Sequence, residues 1–244
     1  MTFAQPLPPA VTCSPSSKLQ WVNDALTAPG FQLINTTIQS RRFGVLCMGR
    51  DGIIAGNRFL DNPGPSILLI NDDDYDNPRE SRMGYMPRNI TIVDNTFINA
   101  SRCVPDPYHA GTAPSMLSVI GSAVVGPNTS PFGTVPEPFV RVAYHGAQNI
   151  TIANNTIDTW FRGAGVLLGE VSGGVVRGNT IARPPDVDAP AVDVSDSDSI
   201  RVEDNLLIGG WAAIEGDGEG SAAAVRVAKN TTGVEVAHNT LRQS

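Results

Sequence analysis

The chain has 244 residues, of which 41% are hydrophobic and 17% are charged, and it contains 24 glycines and 19 prolines. Its formal net charge is −7, its sequence pI is about 4.9 and it has no basic cluster, which argues against nucleic acid and anionic membrane surfaces as partners. No run of about 18 apolar residues occurs, so no membrane-spanning helix is predicted. Three cysteines are too few for a disulfide framework: Cys47 is expected in the core, whereas Cys13 and Cys103 can pair or stay free.

Residues 1–30 are predicted to form an N-terminal linker or, over residues 17–28, a short helix that caps the fold. The first residues lack a basic region followed by a continuous apolar stretch, so no signal peptide is predicted. The last residues stop within a repeat and without a polar cap. We therefore expect a fragment of a longer polypeptide, or an end that another chain covers.

From Phe31 onward the chain repeats one short pattern. The pattern reads apolar, any, apolar, any, any, Asn, any, apolar, and its asparagines are Asn57, Asn95, Asn155, Asn179, Asn205 and Asn239, with Thr36 in the first copy. Seven copies indicate a repeat protein. The short spacings of 21, 24 and 26 residues define one coil, and the longer spacings indicate coils with insertions.

A small residue and a short alternating strand follow each copy. These strands are predicted at Gly44–Cys47, Ser66–Leu69, Val140–Val142, Gly165–Leu168, Ala191–Val194 and Ala224–Val227. Units this short cannot bury an apolar face alone and must stack on one another. The sequence therefore predicts an all-β, single-stranded, right-handed parallel β-helix of about seven coils over residues 31–244, with insertions at 71–88, 98–138 and 209–222.

The repeated asparagines are predicted to be structural. At the same turn of every coil, buried amides can pass hydrogen bonds from one coil to the next, so these residues are not catalytic candidates. Function is expected where the repeat is interrupted. Leu46, Leu68 and Leu167 are expected to face outward on one sheet, beneath the insertion at 103–137 or at an oligomer contact.

Acidic residues concentrate in the turn after the second strand of each coil. This turn carries Arg50-Asp51, Asn71–Tyr75, Tyr144-His145, Glu170, Asp196 and Asp198. Coils rise by about 4.8 Å, so carboxylates on adjacent coils would lie about 5 Å apart, and those two coils apart about 10 Å. These separations bracket those of retaining and inverting glycosidases. A solvated acidic turn and a Ca²⁺ site are the alternatives.

Two tryptophans form a second candidate column. Trp160 and Trp211 lie five and six residues past their repeat asparagines, with Asp186 and Asp188 between them in the sequence. An indole face beside carboxylates suits a sugar, which offers an apolar face and a rim of hydroxyls. In the alternative interpretation, both indoles cover the rim of the core.

Three segments resemble the C-terminal coils of the β-helical exo-α-galactosidases that cleave α-1,3-linked galactose. The segments are RRFGVLCMGRDGIIAGNRF (41–59), SILLINDDDYDNPRES (66–81) and RNITIVDNTF (88–97). That family carries a loop with two acidic residues, an aromatic residue and then Glu-Ser, which Asp72-Asp73, Tyr75 and Glu80-Ser81 match. The resemblance covers residues 30–160 and implies a pectate-lyase-like β-helix with a galactoside substrate.

The chain departs from that family at two points. Arg82 follows Ser81 where the family tends to have glycine. The resemblance also implies catalytic aspartates on coils upstream of the loop, and residues 1–30 contain no matching acidic motif. A truncated member of the family with half a site is therefore expected.

The leading interpretation is a carbohydrate-active protein of glycoside-hydrolase type that acts on a polysaccharide or oligosaccharide, extracellular or periplasmic as a full-length protein. The catalytic candidates are Asp72, Asp73 and Glu80, and the substrate-binding candidates are Tyr75, Arg82, His145, Glu170, Trp160 and Trp211. No cofactor is expected, with Ca²⁺ as the alternative. Two other interpretations stay open. One is a non-catalytic glycan-binding or structural β-helix, and the other is a polysaccharide lyase with Arg50, Arg79 or Arg82 as its basic group.

Overall fold

The computed structural model describes residues 29–39, 44–47, 49–70, 87–100, 115, 117–120, 123–125, 140–142, 146–160, 163–216, 223–228 and 230–243. These residues form strands joined by turns and bends, and none of them is helical. In these ranges there is accordingly no helix that could cross a membrane. The helix expected at 17–28 lies outside the described residues.

The strands follow one another in coils. Coils one to three contain β1 (Gln32–Ile34), β2 (Thr37–Ile38), β3 (Val45–Cys47), β4 (Arg50–Ala55), β5 (Arg58–Leu60), β6 (Ile67–Ile70), β7 (Arg88–Val93), β8 (Thr96–Ala100) and β9 (Leu117–Ile120). After β10 (Ala123–Val125) and β11 (Val140–Val142), coils four and five contain β12 (Ala147–Ala153), β13 (Thr156–Trp160), β14 (Val166–Gly169), β15 (Val171–Arg177), β16 (Thr180–Ala182) and β17 (Val192–Ser195). Coils six and seven contain β18 (Asp198–Glu203), β19 (Leu206–Ile208), β20 (Ala213–Gly216), β21 (Ala223–Val227), β22 (Glu235–Ala237) and β23 (Thr240–Arg242).

Three parallel sheets of seven strands run along the molecule. Sheet A has the order β1-β4-β7-β12-β15-β18-β22, sheet B the order β2-β5-β8-β13-β16-β19-β23, and sheet C the order β3-β6-β9-β14-β17-β21-β20. The register pairs equivalent repeat positions, as where Ile150 lies between Ile90 and Gly174. The predicted all-β parallel β-helix of about seven coils is confirmed, while its right-handed sense stays a prediction.

The core lies between the three sheets because alternate strand residues point inward. Ile90 and Ile92 of sheet A and Phe97 of sheet B are fully buried. The rings of Phe59 and Phe97 stack with their centroids 4.8 Å apart and their planes at 11°. Each coil covers the apolar side chains of the next, which is why short strands without a core of their own are stable here.

Every coil turns from sheet A to sheet B through one residue with a left-handed backbone. The φ angle lies between 53° and 65° at this position, which is occupied by Asn35, Gly56, Asp94, Asn154, Gly178, Asp204 and His238. Glycine adopts this conformation without penalty, and Asn, Asp and His are the other residues enriched there. This requirement explains the residue type that precedes each repeat asparagine.

The repeat asparagines form a continuous ladder, which we call the inner ladder. The backbone N–H and Nδ2 of Asn95 both donate to Oδ1 of Asn155, at 2.9 and 3.0 Å. Nδ2 of Asn155 also donates to the carbonyl of Ile92 at 3.0 Å. The backbone bond recurs at every step from Thr36 to Asn239, at 2.9–3.0 Å. The predicted structural role of these residues is therefore confirmed.

The prediction that Val140–Val142 is one of the short alternating strands that follow each copy of the repeat was wrong. This segment is β11, which pairs antiparallel with β10 outside the three main sheets. Its place in sheet C belongs to β9, which lies between β6 and β14. The physical reason is apolar burial, because Leu117 and Val119 of β9 are both 0% exposed beside the equivalent residues of β14.

The outer face of sheet C is buried in the middle of the stack. Leu68 and Leu167 are 7% and 6% exposed, as expected for leucines that should not face water. On the next coil Asp193 is 6% exposed and accepts two hydrogen bonds from Arg226, one of them from Nε at 2.9 Å. The coverage of this face by the insertion at 103–137 stays a prediction.

Sheet C ends with its strands out of sequence order. β20 pairs parallel with β21 on the side away from β17, so it lies at the level of coil seven although it precedes β21 in the chain. Its segment also contacts the last coil directly, since the N–H of Gly209 donates to the carbonyl of Arg242 at 2.9 Å. The segment expected as an insertion at 209–222 therefore contains a strand of the stack.

Replacing Asn155 by leucine should destabilise the fold. The substitution removes the acceptor of the Asn95 N–H and the donor to Ile92, and each buried group without a partner costs about 1–3 kcal/mol. Urea unfolding of Asn155→Leu should show this loss.

The matched control is Asn154→Gly in the same turn, where an exposed left-handed residue is replaced by one that tolerates the same backbone. It should change the free energy of unfolding far less. An unfolding curve of Asn155→Leu that overlays the parent would contradict the structural role of the ladder.

Candidate functional site

Three connections that carry candidate residues leave the stack at one corner, which we call the CA corner because it joins sheet C to sheet A. They run from β6 to β7, from β9 to β12, and from β14 to β15. The strands at both ends of these connections are neighbours in their sheets. The fold therefore brings the strand ends that flank the connections of coils two, three and four above one another.

Most of the predicted site residues lie in these connections. Asp72, Asp73, Tyr75, Glu80 and Arg82 fall between β6 and β7. His145 lies two residues before β12. All six lie outside the described residues, so their places and their individual roles stay predictions.

Glu170 is the candidate that the structure describes in full. It occupies the short turn between β14 and β15, is 1% exposed, and has a φ of 57°. A left-handed backbone costs most residues about 1–2 kcal/mol, and glutamate lacks the short side chain that offsets this cost in Asn or Asp. A carboxylic acid is thus buried at the CA corner in a backbone conformation that is unfavourable for its residue type.

The next coil holds the turn of Glu170 in place. The N–H of Glu170 donates to the carbonyl of Ser195 at 3.0 Å. The buried hydroxyl of Ser197 accepts from the N–H of Val171 at 3.0 Å and donates to the carbonyl of Ser195 at 2.7 Å. Asp196 repeats the left-handed conformation with a φ of 47° and accepts a hydrogen bond from Asn230. Backbone and side-chain bonds therefore fix the turn on both sides of Glu170.

Two arginines are the first residues of strands of sheet A at the same corner. Arg50 and Arg88 are register partners on the adjacent strands β4 and β7. The Arg50 guanidinium lies 3.8 Å from the carboxylate of Asp51. Positive groups therefore lie beside the sheet A end of the connection that carries Asp72 and Asp73.

A second ladder of polar side chains crosses the outer face of sheet A, and we call it the outer ladder. Nδ2 of Asn149 donates to Oδ1 of Asn89 at 3.1 Å, and Nδ2 of Asn89 donates to Oδ1 of Asp51 at 2.7 Å. All three residues have left-handed backbones, with φ between 51° and 54°. Sequence analysis missed this ladder, although Asn before Ile-Thr-Ile in two copies of the repeat was a signal for it.

The expectation that Trp160 and Trp211 offer exposed faces to a sugar was wrong. They are 0% and 1% exposed. Their Nε1 atoms donate to the carbonyls of Gly163 and Ala189, at 2.9 and 3.0 Å. Both indoles are therefore core side chains, which was the alternative interpretation.

Glycines near the tryptophans were the sequence signal for their burial. A Cβ on Gly165 would lie 3.5 Å from the indole of Trp160, and one on Gly209 would lie 2.8 Å from that of Trp211. The guanidinium of Arg183 lies over the indole of Trp211, 4.9 Å from the ring centroid. Small residues and one cation thus occupy the space that a sugar would need.

Metal ligation finds no support in the described part of the chain. There, no group of three or more His, Cys, Asp or Glu side chains is arranged to hold a metal ion. Cys47 packs partly buried against the core, as expected, and burial raises the pKa of its thiol, against a smaller lowering by a backbone hydrogen bond from Gly49. Cys13 and Cys103, the expected alternative pair, lie outside the described residues.

Truncation of Trp211 should affect stability rather than sugar binding. Trp211→Ala should cost about 3–5 kcal/mol of unfolding free energy, because a large buried side chain leaves a cavity. Trp211→Phe should cost less, since a ring would still pack under Arg183. Urea unfolding measures both; loss of glycan binding with unchanged stability would restore the exposed interpretation.

The sequence matches no family model and no curated protein. Among solved structures, the chain is similar to the A-module of the mannuronan C-5 epimerase AlgE6 from Azotobacter vinelandii, with 16% sequence identity and a TM-score of 0.41. The alignment covers 88% of this chain and 50% of that one, so the chain spans half the length of the protein it matches.

Proposed function

We propose that the chain is a carbohydrate-active β-helix protein of glycoside-hydrolase type that acts at the CA corner. The observation that carries this proposal is Glu170, a buried carboxylic acid with a left-handed backbone at the corner where the two long connections leave the stack. Residues held in unfavourable backbone conformations recur at active sites, where the surrounding structure holds them in place.

The neighbouring coil supports this interpretation of Glu170. Asp196 occupies the equivalent turn with the same left-handed sense, but it is only half-buried and accepts a hydrogen bond from Asn230. The fold therefore does not require a fully buried glutamate at this turn. Buried carboxyl groups are a recurring feature of active sites, which supports a binding or catalytic role for Glu170.

The chemistry of glycoside hydrolysis suits stacked acidic residues. Two carboxyl groups on either side of a glycosidic bond serve as general acid and as base or nucleophile. In the proposal Asp72 and Asp73 supply these groups together with Glu80. Tyr75 and His145 position the sugar, Arg82 contacts it, and the buried Glu170 supports these residues from beneath the surface. A galactoside is the first substrate to test because of the loop resemblance, and an extracellular or periplasmic location suits such a substrate.

A second candidate is a polysaccharide lyase that acts on uronic-acid polymers. The observation that favours it is the pair of arginines on adjacent strands at the same corner, Arg50 and Arg88. Guanidinium groups bind carboxylates through paired hydrogen bonds, so two neighbouring arginines suit successive uronate units.

Three variants test the hydrolase proposal. The parent should cleave at least one member of a panel of α-galactosides, and Asp73→Asn should reduce kcat by about a hundredfold or more, the contribution of a positioned acid or base. Glu170→Gln should reduce kcat less, because Glu170 acts through its neighbours. Asp186→Asn is the matched control, an exposed acid away from the CA corner, and should match the parent. Thermal melting should confirm that all three variants fold.

The same screen includes uronic-acid polymers, with and without Ca²⁺. Formation of unsaturated products, seen by ultraviolet absorbance, would replace the hydrolase proposal by the lyase. Saccharide binding without turnover would make the chain a binding module. A parent that neither cleaves nor binds any saccharide would overturn the carbohydrate proposal.

A further inference from the structure

A notch opens on the outer face of sheet A, across coils four to six. Its volume is about 250 Å³, and it is lined by Asn149, Thr151, Gly173, Val175, Ser199 and Arg201. Two rows of residues at equivalent positions of successive coils form its sides, and the first row consists of register partners. One row is Thr151, Val175 and Arg201; the other is Asn149, Gly173 and Ser199, which share left-handed backbones with φ of 53°, 72° and 56°.

The notch exists because a glycine ends the outer ladder. Position 173 follows Asn89 and Asn149 in the same row, and a side chain there would continue the ladder. A Cβ on Gly173 would lie 3.0 Å from Oδ1 of Asn149, so this oxygen borders the empty space. The missing side chain leaves the backbone of Gly173 as the floor of the notch.

The direction of the outer ladder decides which atom faces the notch. An ionised Asp51 carboxylate accepts hydrogen bonds but cannot donate them. Asn89 must therefore turn its Nδ2 toward Asp51, and Asn149 must turn its Nδ2 toward Asn89. Oδ1 of Asn149 is left at the open end, and among the described residues no side chain donates to it. The notch therefore presents one oriented acceptor.

The opposite wall presents donors. The side chain of Arg201 is 52% exposed and lies 3.7 Å from Glu203, so part of its guanidinium is available to a ligand. The hydroxyls of Thr151 and Ser199 complete the rim, and Val175 supplies an apolar surface beside the glycine floor. An acceptor, donors and a small apolar floor match a sugar ring, which has hydroxyls on its rim and an apolar face.

We propose that this notch binds one pyranose unit of an oligosaccharide. Its volume is below the roughly 300–1,000 Å³ of sites for drug-sized ligands, which suits one ring rather than a longer ligand. Hydroxyls of the sugar donate to Oδ1 of Asn149 and accept from Arg201, and the ring lies over Val175. A neutral sugar and a uronate share this chemistry, and the uronate adds a carboxylate for Arg201.

The notch deepens the function proposed above and rests on it in one respect, the identity of the ligand as a saccharide. Gly173 lies three residues after Glu170, roughly 10 Å along the strand. A sugar unit in the notch would therefore belong to the same chain as one at the CA corner, one or two units away. The notch makes the site selective for oligosaccharides over single sugars.

The test fills the notch without removing a structural group. Gly173→Asn places a residue that tolerates a left-handed backbone at the end of the outer ladder, where its Nδ2 can donate to Asn149 as Asn149 does to Asn89. Binding of a neutral galactosyl tetrasaccharide and of tetragalacturonate is measured by titration calorimetry. We expect Gly173→Asn to keep its melting temperature and to lose about tenfold or more in affinity for the tetrasaccharide that the parent binds.

Two further variants keep the test decisive. Gly30→Asn is the matched control, since Gly30 lies in the same row at its other end, in coil one beside Asp51, has a φ of 71°, and would place its Cβ 4.0 Å from the nearest atom. It should bind like the parent. Arg201→Ala should weaken binding even if Gly173→Asn fails to fold, and a larger loss for tetragalacturonate than for the neutral probe would identify the uronate as the ligand.

The outcomes separate this proposal from the hydrolase proposal because binding is measured without turnover. If the parent hydrolyses no substrate but binds a saccharide, and Gly173→Asn binds it more weakly, the notch is supported and only the hydrolase proposal is overturned. Unchanged affinity in folded Gly173→Asn and in Arg201→Ala overturns the notch, as does a parent that binds neither tetrasaccharide.

Discussion

One hydrogen bond sets the position of each coil on its neighbour, the bond from the backbone N–H of a ladder residue to Oδ1 of the next ladder asparagine. It has the same length whether the two residues are 21 or 60 positions apart in the chain. The inner ladder therefore fixes the register at the turn between sheets A and B. The other corners are free to carry insertions, and the candidate site lies at one of them for this reason.

The fold was predictable because its determinants are local and repeated. Ile90 and Ile150 alternate inward, and Asn95 and Asn155 recur at the same distance behind them. The error at Val140–Val142 has a physical cause, since a short alternating segment fits either a stack strand or a hairpin. Only the burial of Leu117 and Val119 decides between them, and burial depends on contacts far away in the sequence.

The common corner of the candidate residues was predicted from the repeat, and Glu170 is the candidate whose place at that corner the structure describes. Strand order puts the strand ends on either side of the connection that carries Asp72 and Asp73 two coils from Glu170, and the sequence contains that order. A repeat pattern does not show which side chains outside it are exposed, so Trp160 and Trp211 could be assigned to the surface although they are buried. The outer ladder was missed because Asn89 and Asn149 act through each other, across 60 residues.

The crossed order of β20 and β21 changes how the end of the stack can come apart. In a simple solenoid the terminal coil frays by itself, because it touches only the coil before it. Here β20 precedes β21, the sheet C strand of coil six, but lies at the level of coil seven. Just before β20, the carbonyl of Trp211 accepts a hydrogen bond from Gln243 at 3.4 Å. Coil seven therefore cannot separate from coil six without also moving the segment that leads into coil six's own strand of sheet C.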